Sequence, residues 1–176
     1  MALEYIASVT GTSSTLAFTS GIDSTYNEYQ FHFVNMHPAT NEVDFTFQVN
    51  AVGASGFNEV ITSTFFRAYH GESSGTSLAY DARWDQGQGT GYQPLTYETG
   101  SDNDQACSGV LTLYNPSSTT FVKHFVSRSN SSYAGDLSID NYVAGYINVT
   151  AALDEISFKF DSGNIDSGSI HMYGVI

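Results

Sequence analysis

Alternation of apolar and polar side chains, recurring along the chain and never giving way to a helical period, is what most restricts this sequence. In Glu155 to Ile176, EISFKFDSGNIDSGSIHMYGVI, the residues Ile156, Phe158 and Phe160 alternate with Ser157 and Lys159. Ile170, Met172, Gly174 and Ile176 then alternate with His171, Tyr173 and Val175. A period of two sends one set of side chains into a core and the other towards water, as in a half-buried strand. Between the two runs lies DSGNIDSGS, whose Ser-Gly pairs, Asn164 and aspartates suit a reversal of the chain. The stretch predicts a long-looped β-hairpin or a connection that changes sheet, with its last strand tied into a sheet.

The same period returns upstream. Leu3, Tyr5, Ala7 and Val9 mark a first strand, Leu16 and Phe18 a short second, and Tyr29, Phe31 and Phe33 a third ending at His37-Pro38. Val43, Phe45, Phe47 and Val49 alternate with Asp44, Thr46, Gln48 and Asn50, and the ATNE turn between these runs predicts a meander pair. From Ile61 to Ala68 two adjacent phenylalanines leave the inward face open. Leu78, Tyr80, Ala82 and Trp84 resume the alternation, and DQGQGTGYQP is the longest candidate surface loop. VLTLY, the NPSST turn and the run through Phe121, Lys123 and Phe125 predict a second hairpin. SRSNSSYAGD reads as a loop, Tyr142 to Val149 as a strand, and Thr150 as the cap of a single helical turn. About ten short strands with frequent turns predict one all-β domain over residues 1–176, an antiparallel β-sandwich of jelly-roll-like type.

Charge narrows the partners. Five Lys plus Arg face eighteen Asp plus Glu, giving a formal charge of −13. A phosphate backbone and an anionic membrane surface would both repel such a chain, so neither nucleic acid nor membrane is expected as a partner. Only 13% of residues are charged, against roughly 25% in ordinary soluble domains, so polarity comes from Ser, Thr, Asn, Gln and Tyr. The single cysteine, Cys107, excludes an internal disulfide and reads as a small buried residue. No basic and apolar leader or stretch of transmembrane length is evident.

Reactive constellations are sparse, and the chain is read as non-catalytic and free of cofactors. Glu42 and Asp44 have the i, i+2 spacing of glycosidase carboxylates on a strand, but Thr46 follows on the same face, and two solvated acids are the simpler reading. Asp102 and Asp104, with Ser101 and Asn103, bring oxygen ligands together as either a calcium site or a solvated turn. The five histidines show neither HxH nor HExxH spacing, and there is no GxSxG. Aromatic side chains in loops and at strand ends are the surplus. Tyr92, Trp84 and Tyr133 are the candidate contacts to a glycan or a protein, with Trp84 either a core plug or a rim aromatic.

Three stretches together resemble bacteriophage virion proteins of β-sandwich fold. FDSGNIDSGSIHMYGVI is similar to the terminal strand, SGN-x-x-SG connector and I-x-x-YG strand of that group. GVLTLYNPSSTTFVKHF resembles its second hairpin, and YNEYQFHFVNMHPATNEVDFTFQVN its early strand pair. The resemblance covers under half of the chain, in the expected order, and only its terminal motif is distinctive. It implies a particle component located in the virion, a capsid decoration protein or a head or tail appendage, docked on other virion proteins and often a homo-oligomer. It carries over no catalytic residue. The alternative from the aromatic and acidic loops is a lectin-like module for host surface glycans.

Overall fold

In the computed structural model, which describes residues 2–176, the alternating segments become thirteen strands, with no helix among the described residues. In chain order these are β1 (Leu3–Thr10), β2 (Leu16–Phe18), β3 (Glu28–Pro38), β4 (Phe45–Ala51), β5 (Ile61–Gly71), β6 (Thr76–Tyr80) and β7 (Gly87–Gly89). They continue as β8 (Gln93–Pro94), β9 (Cys107–Tyr114), β10 (Lys123–Tyr133), β11 (Leu137–Ile147), β12 (Leu153–Phe160) and β13 (Ile165–Val175). Every pairing is antiparallel. The larger sheet runs β1-β13-β3-β9-β10-β11-β5-β6 with β7 also on β5, and the smaller runs β2-β12-β4-β8.

The protein is an all-β antiparallel sandwich. From β1 to β5 the chain changes sheet at every connection, and it crosses again before and after β8 and β12, which is the jelly-roll-like wrapping expected. The closing segment is therefore a sheet-changing connection and not a hairpin. Its turn is confined to Asp161–Asn164, and β13 begins earlier than the alternation indicated, at Ile165. There β13 is hydrogen-bonded on one side to β1 and on the other to β3.

The predicted meander of β3 with β4 is not formed. β3 pairs with β13 and β9, whereas β4 pairs with β12 and β8. The two strands meet face to face across the core, with the Phe33 and Phe45 rings 5.2 Å apart. Alternation reports which face of a strand is apolar. It does not say whether two such faces lie side by side or pack against each other.

Between the sheets Phe31, Phe33, Phe45, Phe47, Phe125, Phe158 and Phe160 are fully buried. Each such ring contributes roughly 1.5–3 kcal/mol through its removal from water. Edge contacts such as Phe47 on Phe125, 5.0 Å between centroids, add directional packing.

Several polar segments are also interior, which is where the sequence expectations err. Both faces of β4 are covered, and Gln48, 0% exposed, donates through Nε2 to the carbonyls of Glu59, Thr90 and Gly91. The segment expected as the longest surface loop instead forms β7 and β8, with Gln93 buried and donating to the Trp84 carbonyl. SRSNSSY is no loop but the end of β10, and its inward serines give their hydroxyls to buried backbone. Ser127 donates to the carbonyl of Val110, Ser129 to Leu95 and Ser131 to Tyr97.

No helical turn follows Thr150. That crossing is held by Lys123, buried, whose ammonium donates to the carbonyls of Phe121, Val149 and Ala151 at 3.1, 3.1 and 2.6 Å. In β1 a bulge between Tyr5 and Ala7 breaks the alternation, so that Leu3 and Tyr5 are exposed while Ile6, Ala7 and Val9 lie against the core.

Candidate functional site

The residues singled out by sequence fall in three places. Trp84 lies in the turn after β6 and is a core plug, 6% exposed, its indole N–H donating to the Asp44 carboxylate. Tyr97 packs 4.6 Å from it, and the Arg83 guanidinium sits 4.1 Å from the indole ring. Such a residue cannot stack on a glycan, so the rim alternative is excluded. Tyr92 is half-buried over the smaller sheet, donating to Ser157 Oγ at 3.1 Å with the Lys159 ammonium 4.5 Å from its ring.

Tyr133, at the end of β10, lines a groove of about 560 Å³ together with His70, Glu72, Asp102, Asp104 and Asp136. Burial, then a hydrogen bond to Glu42, push its phenol above the ordinary tyrosine range. Asp102 and Asp104 are exposed on the turn closed by the Gln105 amide donating to the Asp102 carbonyl at 2.8 Å. Gln105 itself is buried; its Oε1 accepts the Asp102 amide, and its carbonyl is 2.6 Å from Nδ1 of His37. So three of the five chosen residues share one groove. Among the described residues, however, no three His, Cys, Asp or Glu side chains converge as a metal ligand set.

Glu42 and Asp44 part company. Glu42 is exposed at a left-handed φ of 57°. Asp44 is largely buried, accepting from Trp84 and from the Glu98 amide at 2.8 Å, and lines neither this groove nor the adjoining one beside His37 and Asp166. Burial pushes its carboxyl up to about 7, with Asp161 and Glu98 adding to the rise and the two N–H donors opposing it.

The surface that sequence reasoning missed is the outer face of the larger sheet. Its register lays out two rows across the strands. From Tyr5 of β1 one row continues through Tyr173, Gln30, Thr112, Val126, Ala144 and Thr64 without a single charge. From His171 the next continues through His32, Val110, Arg128, Tyr142, Phe66 and Tyr80. Its one formal charge, on Arg128, is paired with Asp140 at 2.8 Å. None of these side chains is covered by a further layer: all are exposed or half-buried, with Val126 at 47% and Leu78 beside them at 74%.

The Phe66 and Tyr142 rings stack at 4.8 Å and 3°, walling an apolar groove of about 290 Å³ that Val126 and Ala144 also line. The adjacent Phe65 and Phe66 were the available signal. One phenylalanine enters the core and the other marks an apolar outer face.

No protein-family model matches this chain, and no curated protein or solved structure matches it.

Proposed function

We propose that this chain is a non-catalytic structural protein of a phage particle, a capsid decoration protein or a head or tail appendage, acting by docking on neighbouring virion proteins. The carrying observation is the aromatic outer face of the larger sheet, whose two central rows hold only the paired charge of Arg128, in a chain whose formal charge is −13. Contiguous apolar surface rimmed by polar residues is the usual mark of a protein interface. The particle setting comes from the resemblance of residues 160–176 and the two upstream stretches to virion sandwich proteins. Mass spectrometry of purified particles of the phage encoding the chain should find it in stoichiometric amounts. Particles that lack it would sink this reading.

The groove at Tyr133 favours a second reading, a lectin-like contact to host glycans. Its carboxylates and the Asn130 and Ser138 side chains can accept from or donate to sugar hydroxyls beside an aromatic ring. Retention on a glycan array, lost in Tyr133→Ala, is the expected result for that reading, and an array with no retained glycan removes it.

A further inference from the structure

We infer that the outer face of the larger sheet is the contact between two copies of this chain, packed sheet on sheet. The inference rests on the docking reading of that face and is independent of the particle setting. Charge selects the occupant. Eighteen acids against five Lys plus Arg make two copies repel over most of their surface, whereas the two central rows of this face hold only Arg128, already neutralised by Asp140. A cationic partner would find little to hold it here, since Asp140 is already taken by Arg128 and most of the other acids lie on turns. A second copy can approach by this face without placing like charges against each other.

Area is sufficient. Eight strands side by side, at about 4.8 Å each and roughly 20–25 Å long, present on the order of 800–900 Å², which is about what each partner of a stable interface buries. Exposed Val126 and Phe66 would supply the apolar centre, with Tyr80 at the β6 rim, and the groove between Tyr142 and Val126 gives it relief into which a side chain of the other copy can pack.

Sedimentation velocity of the full chain tests this. Wild type should sediment at twice its 19.1 kDa mass, more completely at high sodium chloride, where the remaining repulsion is screened. Val126→Asp and Leu78→Asp should each return the monomer mass, with the far-ultraviolet circular dichroism of a folded β protein. Val52→Asp, an equally exposed position on the turn after β4, should leave the dimer intact. A monomer at every concentration and salt level overturns the inference while leaving docking to another protein open. A dimer indifferent to both substitutions on the face overturns it too. A dimer that is absent from phage particles would instead remove the proposed function alone.

Discussion

Asp44 is a carboxyl whose surroundings oppose its ionisation. Its carboxyl is pushed from 3.8 to about 7, a difference equivalent to roughly 4 kcal/mol between its charged and neutral forms. Between those two values the folded chain holds a proton that the unfolded chain releases, so its contribution to stability is fully present below about pH 4 and lost as pH rises through about 7. Asp44→Asn should therefore flatten the fall in denaturation midpoint between about pH 4 and pH 7. Unchanged slopes in urea titrations of the two proteins would show that Asp44 is not the group responsible. The sequence offered only its place at the head of an alternating run, where an acid reads as solvated. What buries it is Trp84, which lies forty positions further along the chain and donates to it. Likewise nothing local marked Tyr133 as sharing a groove with Asp102 and Asp104 while Tyr92 lies over the other sheet. A groove assembled from distant turns leaves no spacing to read.

Strands were legible as far as their residues obeyed the period of two. The runs at Phe45–Val49, Ile156–Phe160 and Ile170–Met172 were readable because large apolar side chains mark every second position. β10 was cut short in the reading because its inward positions are Ser127, Ser129 and Ser131, whose hydroxyls satisfy buried carbonyls in place of making apolar contacts. Partner choice was the other gap, since β3 and β4 carry the same pattern yet lie in opposite sheets.

Lys123 shows how a connection can depend on one side chain. Its ammonium is pushed below the ordinary lysine range by burial, yet it satisfies three carbonyls, two of them in the crossing from β11 to β12. Lys123→Met would keep the volume and orphan those acceptors. An orphaned buried acceptor costs about 1–3 kcal/mol, so the variant should lose roughly 3 kcal/mol in chemical denaturation. A loss below about 1 kcal/mol would mean that water replaces the ammonium at no cost.

At the scale of the molecule, charge is distributed unevenly: the acids crowd the turns, and the outer sheet face is nearly bare of them. A chain at −13 repels itself when compact. Sodium chloride should therefore raise the Tm in calorimetry, and a Tm that falls or stays level as salt is added would contradict that self-repulsion. The rims of the larger sheet, β1 and β6, carry no Lys or Pro, but β1 has its bulge between Tyr5 and Ala7 and β6 is only five residues long, both guards against strand addition, to which the net charge adds repulsion.

The position of β13 has a further consequence, for biosynthesis. β1 and β3 are not bonded to each other: β3 can pair with β9 beforehand, whereas β1 waits for β13, which follows the other twelve strands along the chain. While a ribosome is still making this chain, its first strand has no ladder to join, and one end of the larger sheet can close only after the thirteenth strand has emerged.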